Sequence, residues 1–333
     1  MRNIARIVPA LGIICAMTVL SGCSGTHEKI EFVTEMPADI VLSVGDEECN
    51  SAQMRLLLGN NRNRYGNAYS LDMWGTENET AKAELSNYVR DITVSHWIKI
   101  LSMNALAKEY EIELPESVMS TVERTAEEYY DALDVSDVEI TGITKDDVTE
   151  IYRQLAVSDM VYEELTRDVS FEVSNDESRV MEVMVIYTES ADTAALVDEE
   201  LKGGSDFGAL AANYNEYRSI EVDMYRGLFP EDVEEAAYSL ENGEHTDRIK
   251  GDEGWYFIYC INKYNEELSN QNKDNIVRKR RTDAFNNIYD LFEDNVETEF
   301  NIALWDSVTS EDLTGIKTGS LFETFDKKFV STR

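Results

Sequence analysis

The apolar residues of this chain change their rhythm near residue 171, and that change limits the fold more than any composition figure. Upstream, apolar side chains recur at three- and four-residue spacing: Leu85, Val89 and Ile92, then Ile100, Leu101 and Ala105. The stripe continues through Val122, Ala126, Tyr129 and Leu133, and again through Val148, Ile151, Leu155, Tyr162 and Leu165. This spacing draws one apolar face along each of several helices. Residues 180–187 then crowd Val, Met and Ile together without that period, as a buried strand does. The pattern predicts an α+β fold, with mainly helical layers first and a small sheet with its own helices after them.

Local punctuation refines the pattern. Residues 40–44 predict a short strand and Gly45-Asp46 a turn; residues 51–60 and 79–110 predict helices. Pro115, with Glu116 behind it, opens the next helix. Residues 134–143 read as a loop, and Thr144-x-x-Asp147 has the form of a capping box opening the helix that follows. Residues 191–201 predict a helix closed by Gly203-Gly204, Asp206 opens a second, and Pro230 opens a third running through Ala237. Gly243-Glu244 marks a turn and residues 255–261 a closing strand, giving three helices between two strands. A long polar helix is expected over 266–300. Trp305, Leu321, Phe322, Phe325 and Phe329 make the last stretch too apolar for a free tail, so it is expected to dock on the helical region.

The N-terminus reads as an address. Arg2 and Arg6 precede an apolar run from Ile7 to Leu20, too brief for a spanning helix, and Leu20-Ser21-Gly22-Cys23 follows. These four residues resemble the lipobox of bacterial lipoproteins. The resemblance implies that 1–22 is a signal peptide and that Cys23 is the lipid-attachment residue. The chain would then be anchored outside the cytoplasmic membrane without a transmembrane helix.

Charge and chemistry exclude several classes. The chain carries 66 Asp+Glu against 30 Lys+Arg, a formal net charge of −36. Such a surface repels phosphate backbones, so no nucleic-acid partner is expected. Cys15 leaves with the signal; Cys49 and Cys260 either pair or remain two separate buried thiols. His27, His96 and His245 are widely separated and form no metal-binding motif, so no metal and no cofactor is expected. Asp146-Asp147 and Glu231-Asp232-x-Glu234-Glu235 lack the glycine and spacing of a calcium loop and read as solvated helix faces. No Gly-x-Ser-x-Gly and no P-loop occurs. The basic run Arg278-Lys279-Arg280-Arg281 is expected to pair with carboxylates of the helical region.

Several fixed offsets in 180–264 carry a resemblance. Gly203-Gly204-Ser205-Asp206-Phe207, Leu210-Ala211 and Tyr214 are followed by Asp223 and Arg226-Gly227. Glu234-Glu235-Ala236-Ala237-Tyr238, Leu240, Gly243-Glu244 and Gly254-Trp255 complete the series. This segment resembles parvulin-type peptidyl-prolyl isomerases. Val44-Gly45-Asp46-Glu47-Glu48 is similar to the entry strand of PrsA- and SurA-type foldases, and helices flanking an inserted parvulin-like domain fit the PrsA type. The resemblance implies an inserted β-α3-β-α-β2 domain within a helical, chaperone-like one. It implies these divisions: 1–22 signal, 23–36 tether, 37–170 helical domain, 171–265 parvulin-like domain, and 266–333 a C-terminal helix and segment packing back.

The resemblance also implies site residues. The two histidine positions of the family fall on Val183 and Tyr256, so both imidazoles are absent, while the acidic position falls on Asp223. Catalytic roles therefore fall to Asp223 and Tyr256, with Val183 at a degenerate position. The proline pocket falls to Phe229, Val233 and Met224. The implied function is an extracytoplasmic, membrane-anchored folding factor that binds unfolded or partly folded exported chains and isomerises X-Pro bonds. The alternative is a non-catalytic binding or scaffold lipoprotein that reuses the fold, its activity lost with both histidines.

Overall fold

The computed structural model describes residues 30–33, 36–68, 79–310 and 313–329. The signal expected at 1–22 with Cys15, the lipid-attachment residue expected at Cys23, His27, and residues 23–29 and 34–35 of the expected tether lie outside the described residues. In chain order come β1 (Ile30–Val33), β2 (Ile40–Val44), β3 (Glu47–Asn50), α1 (Ser51–Ala68), α2 (Glu79–Glu109), α3 (Glu116–Asp131), α4 (Val135–Thr141), α5 (Lys145–Leu165) and α6 (Asn175–Ser178). Next come β4 (Met181–Thr188), α7 (Ala191–Lys202), α8 (Phe207–Tyr214), β5 (Glu221–Met224), α9 (Glu231–Tyr238), β6 (Ile249–Lys250) and β7 (Trp255–Asn262). The chain closes with α10 (Glu266–Glu293), β8 (Thr298–Asn301), α11 (Ile302–Ser310) and α12 (Leu321–Phe329). The class is α+β.

The first sheet has the order β1-β8-β2-β3. β8 runs parallel to β1 and antiparallel to β2, whose Leu42 sits opposite Phe300. Every residue of β2 is buried, Ser43 included, which explains why the strand is apolar at its other four positions. Gly45 takes φ +54° and lets the chain turn straight into β3. Leu42, Val44, Met54, Leu57, Trp97, Leu101, Ile151 and Tyr152 form the core between this sheet and α1, α2 and α5. Each such apolar side chain stabilises the fold by roughly 1.5–3 kcal/mol on burial.

The C-terminal stretch packs on this core. Leu321 and Phe325 are buried in it, the Phe325 ring lies 5.6 Å from Tyr152, and Tyr152 Oη donates to the Leu321 carbonyl at 2.9 Å. Asn60 Oδ1 accepts the Leu321 amide at 3.0 Å, and Asn63 Nδ2 donates to the carbonyls of Ile316 and Thr318, both at 2.8 Å.

Residues 134–143 are not a loop. Asp134 caps α4 by accepting the Ser136 amide, and Asp137 returns the bond to the Asp134 amide. Gly142, at φ +71°, ends the helix. The capping box at Thr144 and Asp147 forms with both bonds present.

The second sheet has the order β5-β4-β7-β6, antiparallel throughout. Two helices, not three, separate β4 from β5. After α8, Asn215 folds residues 215–220 into a turn: its Oδ1 accepts the Tyr187 and Tyr217 amides and its Nδ2 donates to the Tyr217 and Ser219 carbonyls. An amide side chain that satisfies the backbone itself removes the gain of continuing a helix. The sheet also holds β5 and β6, short strands hidden in sequence by their polar residues.

β4 and β7 alternate strictly between two faces. Ile186, Phe257 and Tyr259 meet α7 and α8 on one side; Val183, Val185, Ile258 and Cys260 face α9 on the other. Three residues of the α10 basic run are ion-paired, and of these pairs only that of Arg281 reaches the helical layers, that of Lys279 lying within α10 itself. Arg281 pairs with Glu163 on α5, Arg280 with Glu177, and Lys279 with Asp283. Cys49 and Cys260 are both free and buried.

Candidate functional site

The α9 face of the second sheet carries a continuous aromatic surface. Tyr187 of β4 and Tyr256 of β7 are cross-strand partners with ring centroids 4.8 Å apart. Tyr256 meets the Phe229 ring edge-on at 6.0 Å, and Phe229 meets Tyr217 at 5.4 Å. Four rings thus run side by side, with Val183, Val222, Val233 and Ala237 beneath them.

Two glycines make room for this row. A Cβ on Gly254 would lie 2.5 Å from the Tyr187 ring and 2.7 Å from the Thr188 carbonyl oxygen; one on Gly251 would lie 2.6 Å from the Tyr256 ring. Both belong to the β6–β7 turn, closed by the Gly251 amide donating to the Gly254 carbonyl at 2.8 Å. The turn backbone therefore lies flat against the phenol rings.

Phe229 is positioned by a carboxylate. Glu234 sits in the first turn of α9 and is only 8% exposed. Its Oε1 accepts the Gly227 amide at 2.7 Å and the Phe229 amide at 3.1 Å. Gly227 takes φ +89°, which brings both amides round to the one oxygen. Glu234 is thus no part of a solvated helix face; it ties the loop to the helix. The same helix ends at Tyr238, whose ring holds two guanidinium groups, Arg226 at 4.4 Å and Arg179 at 5.1 Å from its centre. Burial and the nearby Glu234 push the Tyr238 phenol up to about 12.

The rim is acidic. Glu189, Glu216, Asp252 and Glu253 are exposed around the tyrosines. Burial raises the Tyr256 phenol, with Tyr187, Tyr217, Glu253 and Asp252 adding to it. Burial likewise raises Tyr187, with Glu189, Glu253 and Glu216 contributing. Both phenols therefore remain neutral donors at ordinary pH.

The structure brings together Val183, Val233, Met224, Phe229 and Tyr256, all on the α9 face. Val183 is fully buried opposite Val222 and Cys260 and offers no polar atom. Met224 is fully buried opposite Met181; Val233 is also fully buried, and Phe229 is 7% exposed. The accessible part of the proposed proline pocket is therefore its tyrosine edge.

Asp223 does not join this group. It neighbours Met224 and Val222 on β5, and strand alternation sends its side chain through to the other face, opposite Glu182. There it lines a groove of about 660 Å³ between the sheet and α10, with Val180, Tyr225, Ile276 and Lys279. An acid on that side supplies no polarity to the aromatic surface. Tyr187, Tyr217 and Glu234 belong to the site in its place. Tyr187 was legible from period-two spacing with Val183 and Val185; Glu234 lay hidden in an acidic run.

No protein-family model matches the chain. The chain is 29% identical over 105 residues to foldase protein PrsA 4 of Bacillus cereus, covering 30% of this chain and 38% of that protein. It is 25% identical over 157 residues to foldase protein PrsA of Halalkalibacterium halodurans, covering 42% of this chain and 47% of that protein. The chain thus spans less than half the length of these curated relatives. A crystal structure of the peptidylprolyl isomerase PrsA from Bacillus cereus matches with a TM-score of 0.37 at 17% identity, over 74% of this chain and 94% of that one. The sequence relatives are foldases of the PrsA type, the type that Val44–Glu48 and the helices flanking the parvulin-like segment resemble.

Proposed function

We propose that this chain, similar in sequence to PrsA-type foldases, is a folding factor that binds exposed segments of unfolded polypeptides at the aromatic face of its second sheet. The observation that most supports this reading is the row Tyr187, Tyr256, Phe229 and Tyr217. Aromatic rings give large apolar contact with a polar tip and suit proline and aromatic side chains alike.

Isomerisation of X-Pro bonds is the chemistry this surface would support. The barrier is roughly 20 kcal/mol and arises from amide resonance. Twisting the bond draws charge off the carbonyl, so removing water from it favours the twisted form over the planar one. Tyr256, which touches both Tyr187 and Phe229, is the donor we assign to the amide. Val183 supplies only apolar floor, so catalysis rests on desolvation and phenols, without imidazoles. Binding is the primary activity and isomerisation follows from it. Anchoring through Cys23 places the binding face outside the membrane with the clients.

The test uses the full chain in mild detergent. It should suppress aggregation of a chemically denatured client and accelerate exchange in an X-Pro peptide followed by NMR, with Tyr256→Ala weakening both. Suppression without any rate above background leaves a binding protein alone. Absence of both activities overturns the reading. Incorporation of labelled palmitate that is lost in Cys23→Ala tests the anchor.

A further inference from the structure

The aromatic face has a charge pattern that selects among clients. Glu189, Glu216, Asp252 and Glu253 surround Tyr187 and Tyr256, all exposed, and none is ion-paired among the described residues. Elsewhere on the chain Arg226, Arg280 and Arg281 each hold a carboxylate partner. The backbone fixes two of the four acids. Glu216 donates its amide to the Tyr187 carbonyl at 2.8 Å, and its Oε2 accepts the Glu189 amide at 2.9 Å. Asp252 and Glu253 sit in the tight turn whose glycines lie against the two tyrosine rings. The Glu216 carboxylate is thereby held in place, and the backbone sets the other three acids close to the two tyrosines.

The chain already places one cation on this face. The Arg218 guanidinium lies 5.6 Å from the centre of the Tyr217 ring. One arginine faces four carboxylates, and the Tyr187 and Tyr256 rings hold no cation of the chain's own among the described residues. Aromatic faces attract ammonium and guanidinium groups, and nearby carboxylates add to the attraction.

We infer that this face recognises client segments carrying a lysine or arginine beside the residue that rests on Tyr256 and Phe229. The cationic head lies against Tyr187 and Tyr256 within reach of Glu189, Glu216, Asp252 and Glu253. The inference rests on the proposed client-binding role and names the class of client.

The test measures fluorescence-anisotropy affinities of the full chain for three short labelled peptides that differ only in having Lys, Gln or Glu before a Pro-Phe pair. The lysine peptide should bind about 10-fold more tightly than the glutamine peptide at low salt, and the difference should shrink as salt rises. In the combined variant Glu189→Gln, Glu216→Gln, Asp252→Asn and Glu253→Gln, the difference should fall to about twofold or less. A second variant neutralises four carboxylates on the helical layer, Glu109→Gln, Glu123→Gln, Asp131→Asn and Glu139→Gln, and controls for overall charge. It should keep the preference. Loss of the preference in both variants alike would assign it to net charge and overturn the inference. Equal binding of all three peptides, with client aggregation still suppressed, overturns the charge preference and leaves the folding-factor reading standing. If no peptide binds and no client is protected, both fail. Matching circular-dichroism spectra and unfolding midpoints exclude misfolding of the variants.

Discussion

Glu234 holds Phe229 in place: one carboxylate oxygen, buried at the start of α9, accepts the Phe229 amide at 3.1 Å and the Gly227 amide at 2.7 Å. Glu234→Ala leaves the buried Phe229 amide without a partner, frees the more exposed Gly227 amide to water, and should destabilise the fold by about 1–3 kcal/mol. Glu234→Gln keeps an acceptor oxygen and should cost about 1 kcal/mol. Chemical denaturation gives both values. Amide exchange at Phe229 should accelerate in the alanine variant; unchanged protection there would show that the loop is held by packing alone.

The two turn glycines should respond differently to alanine. At Gly254 the added Cβ meets the Thr188 carbonyl as well as the Tyr187 ring, and backbone cannot yield cheaply. Gly254→Ala should cost about 1–3 kcal/mol. At Gly251 the first obstacle is the Tyr256 side chain, which can rotate. Gly251→Ala should leave stability nearly intact while shifting the Tyr256 ring resonances and weakening client binding.

Strand alternation separates Asp223 from Tyr256, so their substitutions should part company. Asp223→Ala should leave client binding and X-Pro exchange within experimental error of the parent. Tyr256→Ala removes a ring from contact with both Tyr187 and Phe229 and should weaken binding several-fold, about 1 kcal/mol by the usual worth of an aromatic pair. Equal effects from both would place Asp223 in the site after all.

The C-terminal helix is part of the first core. Phe325 is buried between Tyr152 and Phe329, whose ring stacks on it at 4.3 Å. Phe325→Ala should cost about 3–5 kcal/mol. Tyr152→Phe removes only the hydroxyl, which donates to the Leu321 carbonyl and also meets the Thr324 side chain, and should cost about 1 kcal/mol. A Tyr152→Phe variant as damaging as Phe325→Ala would contradict a role confined to the hydroxyl's hydrogen bonds.

Asp134 gives a titration to look for. The Lys317 ammonium at 2.7 Å and the Ser136 amide and hydroxyl hold its carboxyl at about 2. The native value lies below the unfolded one, so the contribution is present above the ordinary carboxylate range, about 3.9, and fades as pH falls through the native value. A carboxyl-carbon NMR titration should find the low midpoint, and Lys317→Ala should raise it. A midpoint already in the ordinary range would show that the pair does not form in solution.

The residues that were legible in sequence carried a repeating physical pattern. β2 is read from its short, mainly apolar run, and the Thr144–Asp147 box from its spacing. β4 and β7 follow from dense β-branched and aromatic residues. What escaped lacked such repetition. α4 spans 7 residues, too few for an amphipathic stripe to register, and its formation rests on Asp134, Asp137 and Gly142 acting together. β5 reads Glu-Val-Asp-Met and exposes its acidic positions, so only pairing with β4 makes it a strand. The misplacement of Asp223 has the same origin. A motif offset gives its position along the chain, but only the register of β5 decides which side of the sheet it serves. Glu234 was hidden because a buried acceptor and a solvated acid look alike until the amides it meets are in view.

The strand β8 lies between β1 and β2, so the first sheet has a hole in its middle until residues 298–301 arrive. Synthesis delivers β1 and β2 early and the strand that joins them almost last. The second sheet, closed within residues 181–262, needs no such wait. Folding is thereby ordered in time: the inner unit can mature while the outer one remains open, and a ribosome stalled before β8 leaves two strands with no common neighbour.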